Sequence, residues 1–338
     1  MARGMMVRTF LAALAVLLAL APVGPAAGQA KKIRVGYMPI AEQAPNFIAA
    51  DVGIFKKHNL DVDLKLFQSG PAIAAAQLGG SLDVGLVGTP GAIFAWAASK
   101  SLYAFADIGT NVDVKPYAYS AGLVTRADSP LKDLGDVKGK KVGVNVLKAN
   151  AEIQLLMMAK RWNKEHPGRA LDVEKDVKLV VMPMPSMPTA LEKGLVDAVI
   201  IWDPFATAIE TTGGLKVITP VAYALPGWPV GFWLITKKVA QDIPDTVVAY
   251  REAFYEAADW IQKNDKEARR IIARWTKVEP AVADRMPLPV WEKDLTVLKA
   301  RTKKIVDEMQ AMNLLKEPVD LDRYFVTSFR PGWERELK

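Results

Sequence analysis

"AQLGGSLDVGLVGTP" (residues 76–90) and "ALEKGLVDAVIIWDP" (residues 190–204) run in register at a constant offset of 114 residues. Ala76 meets Ala190, Gly80 meets Gly194, Asp83 meets Asp197 and Pro90 meets Pro204. Self-similarity at a fixed offset marks a repeated structural unit. Working outward, "DLKLFQSGP" (63–71) parallels "DVKLVVMPMP" (176–185) with one residue of slippage. "KIRVGYMPI" (32–40) and "KKVGVNVL" (140–147) open the two halves with short β-rich runs. Each half therefore reads β, α, β, loop, α, β, loop, α. Apolar strands alternating with helical stretches build a mostly parallel sheet wrapped by helices, and two copies build two similar Rossmann-like α/β lobes.

The two lobes need connections. "KPYAYSAGLVTR" (115–126) reads as an extended crossing into the second lobe and "GWPVGFWLITKK" (227–238) as the crossing back, a two-strand hinge. Lobe 1 is then residues 31–117 plus 231–338, and lobe 2 residues 118–230. Beyond the second crossing the chain turns helical. Trp291, Leu295, Leu298, Thr302, Ile305, Met309 and Met312 recur in steps of three and four, one face of a long amphipathic helix. These extra C-terminal helices are expected to pack on lobe 1.

Residues 1–30 read separately. Arg3 and Arg8 precede an apolar run over 10–20, and small residues follow up to Ala30. That is the pattern of a secretory signal peptide cut near Ala30, which predicts export. The run is shorter than the ~20 apolar residues of a spanning helix, so stable membrane insertion is not expected. Past Ala30, 42 basic and 37 acidic residues remain, a mild net charge of +5. The charges are interspersed, without the basic stripe that nucleic-acid binding requires. The chain has no cysteine, which excludes disulfides, thiol nucleophiles and cysteine metal sites. The expected form is a monomer without metal or cofactor.

In open α/β sheets ligands bind outside the carboxyl ends of the strands. Those ends carry "QSGP" (68–71), "GTPG" (88–91), "MPMPSMP" (182–188) and "WDPF" (202–205). Gly70, Thr89 and Asp203 each stand before a proline, as helix caps do, because the first-turn N–H that proline lacks has no partner in the helix. Asp203 thus reads first as a helix cap. Several helix N-termini turned toward one cleft also make an anion site. Asp83 and Asp197, at the strand starts, face away from the cleft as turn residues.

Taken in order, "FIAADVGIFKKHNLDVDLKLFQSGPAIAAAQLGGSLDVGLVGTP", "DSPLKDLGDVKGKKVGVN" and "ALEKGLVDAVIIWDPF" resemble the periplasmic solute-binding proteins of nitrate, sulfonate and taurine ABC importers. Thiamine-pyrimidine binding and synthesising proteins share that fold. The resemblance implies a two-lobed type II periplasmic binding fold that closes on a small solute and delivers it to a permease and its ATPase. It implies that Ser69, Gly70, Thr89, Trp202 and Asp203 face the solute. One departure stands out: "VLKANAE" (146–152) puts Leu147 and Lys148 where sulfonate binders carry small hydroxylic residues, leaving Asn150 as the cap.

The expected cleft holds little fixed charge: Glu42 in "MPIAEQAP" (38–45), Lys148 and Asp203. Glu42 reads first as a solvated loop acid, with pairing to a solute amine as its alternative. Met38, Pro39, Met182, Met184, Met187, Trp202, Phe205 and Trp228 supply apolar surface, with Ser186 among them. This composition suits a small organic anion (a sulfonate, a taurine-like zwitterion or an aromatic carboxylate). The alternatives are a pyrimidine-like heterocycle, or an enzyme on the same fold. For the enzyme, His58 and His166 are the two histidines, both in helix-end contexts without metal or nucleophile partners in sequence.

Overall fold

The computed structural model describes residues 29–107 and 122–337. The expected signal peptide, except for residues 29 and 30, and the first crossing up to residue 121 lie outside the described residues. The first half places β1 (Lys31–Tyr37), α1 (Ala44–Asp51), β2 (Leu60–Leu66), α2 (Gly70–Leu78), β3 (Val84–Gly88), α3 (Thr89–Ala98) and β4 (Leu102–Asp107). The second half repeats the scheme with β5 (Gly122–Arg126), β6 (Lys141–Val144), α4 (Asn150–Glu165), β7 (Lys178–Val181), α5 (Met187–Glu192), β8 (Ala198–Ile201), α6 (Phe205–Gly213) and β9 (Leu215–Pro220). After β10 (Gly231–Thr236) come α7 (Pro244–Lys263), α8 (Asp265–Thr276), α9 (Pro280–Arg285) and α10 (Leu295–Ala311).

Two five-stranded sheets result, ordered β2-β1-β3-β10-β4 and β7-β6-β8-β5-β9. In each, the first three strands are parallel, and the fourth, which belongs to a crossing, runs antiparallel to both of its neighbours. The repeat offset survives into the pairing. Val35 pairs with Val84 in one sheet, and Val142 with Ala198, 114 residues past Val84, in the other. The two strand-start aspartates also match. Asp83 accepts the Arg34 N–H at 2.8 Å, midway along β1, and Asp197 the Lys141 N–H at 2.8 Å, at the start of β6, each tying a strand start to the neighbouring parallel strand. The two-lobed α/β class expected from the repeat is the one observed.

Strands β3 and β8 are buried apolar runs, as a sheet covered on both faces requires. Gly85 shows how closely a helix seats there. A Cβ at that position would lie 2.2 Å from Ile73 and 2.9 Å from Gln77, both on α2. Edge strand β4 is covered by the C-terminal segment: Ala104 donates to the Tyr324 carbonyl at 2.7 Å, and Val326 donates back to Ala104 at 2.8 Å. Covering an edge in this way blocks pairing with other chains.

The C-terminal helices do more than cover lobe 1. α7 and α8 pack on α1, where Phe47 and Trp275 stack with centroids 5.1 Å apart. α10 packs on β4 and α3. But α9 lies against α6 of the second half, where Arg285 reaches Glu210 at 3.4 Å, and Lys160 on α4 pairs with Glu308 on α10 at 2.6 Å. The segment thus packs mainly on lobe 1 and also reaches the second half. The amphipathic helix also starts later than its periodicity suggests, at Leu295, because the Asp294 carboxylate caps it by accepting the Thr296 N–H at 2.8 Å. Trp291 precedes it, and its indole N–H donates to the Glu42 carbonyl at 2.8 Å. Among the described residues, no helix is long and apolar enough to cross a membrane.

Candidate functional site

A cavity opens where the carboxyl ends of both sheets face each other. Its lining comes from Met38 and Ile40 after β1, Gly70 and Pro71 opening α2, and Leu86, Gly88 and Gly91 at the β3–α3 junction. The second half adds Asn145 and Val146 after β6, Ala149 and Asn150 at the start of α4, Met184 after β7 and Trp202 after β8; Val230, just before β10, completes it. The empty space measures about 460 Å³, counting space open to solvent. That falls within the ~300–1,000 Å³ of small-molecule sites. The cavity is therefore of a size for a small solute.

None of the lining residues carries a charged side chain. Three helices instead begin at the cavity: α2, α3 and α4. Their first-turn N–H groups and positive dipole ends favour negative charge there. Pro71 and Pro90 sit in the first turns of α2 and α3, where proline is tolerated. The helices start one residue before the prolines, so Gly70 and Thr89 are first helical residues and Ser69 and Gly88 precede them.

Of the residues expected at the site, Met38, Gly70, Asn150, Met184 and Trp202 line the cavity. The others are turned elsewhere, for separate reasons. Thr89 is no cap: its hydroxyl donates to the Pro229 carbonyl at 2.6 Å and its N–H to the Val230 carbonyl at 3.1 Å, tying α3 to the crossing. Lys148 is exposed, with a left-handed φ of 55°, and its N–H donates to the Glu152 carboxylate at 2.6 Å. Asn150 is not a cap either, because its Nδ2 donates to the Val230 carbonyl at 2.9 Å. Ser69 is half-buried without a capping bond, Pro39 is buried behind the lining, and Ser186 is exposed.

The two acids need a larger revision. Glu42 is not solvated: it is fully buried in the turn Ala41–Gln43, and its carboxyl oxygens have no hydrogen-bond partner. Burial, and then the nearby Asp203 charge, hold it well above the usual carboxylate range. Asp203 is also fully buried. Its Oδ1 accepts from the Thr207 N–H at 3.1 Å and the Thr207 hydroxyl at 2.7 Å, in the first turn of α6, while Oδ2 has no partner. The capping bond exists, but Pro204, joined by a cis peptide bond, stands between Asp203 and the helix. Burial pushes the Asp203 carboxyl up to about 6 despite the Thr207 bonds. Its carbonyl accepts the Ala41 N–H at 2.9 Å, a direct bond between the two halves beside the cavity.

Ile40, Pro71, Leu86, Gly88, Gly91, Asn145, Val146, Ala149 and Val230 also line the cavity but are not singled out at the sequence level, although Pro71, Gly88 and Gly91 stand in the quoted strand-end stretches. Gly88 had a signal, since it is the repeat partner of Trp202. Asn145 had a weaker one: it is a polar residue inside the β-rich run 140–147, and the strand ends just before it at Val144. His58 and His166 lie off the cavity. His58 Nε2 is 2.8 Å from the Glu256 carboxylate, and His166 stacks on Trp162 with centroids 3.7 Å apart.

Comparison with known proteins bears out the resemblance read from the motifs. The sequence profile of the NMT1-like family matches residues 26–277. A Brucella abortus protein assigned as a binding protein, without a stated ligand, is 29% identical over 255 residues, 74% of this chain and 73% of its own. The taurine-binding periplasmic protein of Escherichia coli is 27% identical over 232 residues, 68% of this chain and 66% of its own. Among solved structures, the alkanesulfonate-binding protein of Xanthomonas axonopodis bound to MOPS superposes with a TM-score of 0.71. It has 20% identity and covers 87% of this chain and 97% of its own. That likeness is one of fold.

Proposed function

This chain belongs to the NMT1-like family, and on that premise we propose that it is an exported solute-binding protein. It captures a small organic anion between its two lobes and delivers it to the permease and ATPase of an ABC importer. One observation carries this reading: three helix N-termini meet at a cavity that no charged side chain lines. Oriented N–H groups can hold an anionic head there without a salt bridge, in a setting that most of the lining keeps apolar. The names of the relatives, taurine-binding and alkanesulfonate-binding, agree in ligand class.

The mechanism is closure about the two crossings, one of them β10, with the solute touching both lobes and so favouring the closed state. Thermal-shift measurements with short aliphatic sulfonates, aromatic carboxylates, nitrate and the thiamine pyrimidine test the ligand class. Stabilisation is expected from a short sulfonate or carboxylate, and stabilisation by cations alone overturns the reading. Small-angle scattering with and without the stabilising solute is expected to show compaction, and an unchanged profile at saturation argues against closure.

A further inference from the structure

We infer that the solute carries a hydrogen-bond donor on its body and that the Asn150 side-chain oxygen receives it. This deepens the anion-binding reading and rests on the same cavity. Asn150 lines that cavity and is 9% exposed. Its Nδ2 donates to the Val230 carbonyl at 2.9 Å. A reversed amide would set two acceptor oxygens against each other, so the bond fixes which end is the oxygen. Gly88 lies directly beneath, so close that a Cβ there would meet Nδ2 at 2.5 Å and Oδ1 at 3.3 Å, and the amide has little room to turn. Oδ1 is buried and has no partner.

A buried acceptor left unpaired is costly, and a solute N–H or O–H would remove that cost. The oxygens of a plain alkanesulfonate or of nitrate cannot, because they only accept. The donors in the cavity are a separate set: the helix N-termini and the Trp202 Nε1–H, which is also buried and unpartnered. The site is thus divided into donors for an anionic head and an acceptor for something else. Asn145, on the loop before α4, adds a second buried side-chain oxygen without a partner. The indicated class is a small anion bearing a hydroxyl or an amine, as opposed to the bare alkyl anion.

The test is a matched pair, ethanesulfonate and 2-hydroxyethanesulfonate, which differ by one hydroxyl, titrated calorimetrically into the full mature chain. The hydroxylated anion is expected to bind at least about tenfold more tightly, and Asn150→Leu is expected to abolish most of that ratio. Equal affinities for the wild type overturn the inference and leave the anion site standing. If neither sulfonate binds but uracil does, the anion reading fails. The inference is then decided by uracil against 1,3-dimethyluracil, equal binding overturning it. Failure of all four to bind at millimolar concentration rejects the cavity as the solute site, and the inference with it. The wild-type comparison stands even if Asn150→Leu does not fold.

Discussion

At the same position of the repeat, one lobe has Gly88-Thr89-Pro90 and the other Trp202-Asp203-Pro204. Both follow the third strand of their sheet and both face the cavity with their first residue. The first version is minimal. Gly88 leaves room for the Asn150 amide from the opposite half, and Thr89 ties its helix to the crossing. The second is loaded: a buried indole and a buried carboxyl, each with an unpartnered polar atom. Two copies of one structural unit have thus diverged, one making room for a side chain from the opposite half and the other burying an indole and a carboxyl.

Removing the indole should have the largest effect. Trp202→Ala empties a buried position that is 4% exposed and should cost about 3–5 kcal/mol in urea unfolding, with loss of solute-induced stabilisation. A loss near zero would mean that the two lobes are equivalent at this point.

The next effect comes from Asp203. Its folded value of about 6 lies above the ~3.9 of an unperturbed aspartate, so the folded state keeps a proton that the unfolded state releases. Its contribution is therefore most favourable below about pH 4 and declines as pH rises through about 6, by roughly 3 kcal/mol for a shift of about 2 units. Unfolding at a series of pH values should show Asp203→Asn gaining on the wild type across this window, whereas Thr89→Val should run parallel to the wild type. A flat difference for Asp203→Asn would contradict the buried-acid account.

The smallest of the three belongs to Gly88→Ala. The added methyl displaces the Asn150 amide from Val230 and should cost about 1–3 kcal/mol. A weaker solute affinity should accompany it. Unchanged affinity would show that this half tolerates a side chain where its partner already has one.

The contrast also explains what could be read from the sequence. The duplication, the order of elements and the strand ends were legible because Asp83 and Asp197, Gly80 and Gly194, and the prolines recur at one spacing, and each has a local structural duty. The cavity was legible where a strand end and a side-chain direction coincide, as at Met38, Met184 and Trp202, and at the helix starts Gly70 and Asn150. Direction is set by partners distant in sequence: Pro229 draws in the Thr89 hydroxyl, Val230 the Asn150 amide, and Thr207 the Asp203 carboxylate. Glu42 was the hardest. A loop acid beside a proline looks solvated until the interlobe contact of Ala41 with Asp203 and the indole of Trp291 enclose it.

The C-terminal segment gives the molecule a further property. Its links to the second half include Lys160 with Glu308 and Arg285 with Glu210. Ion pairs this exposed contribute only about 0–1 kcal/mol each and are screened by salt. On the closure proposed above, they would favour the closed form only weakly and yield on opening. That bias follows ionic strength, so the dwell time of a captured solute should shorten in brine even where the contacts inside the cavity are unchanged.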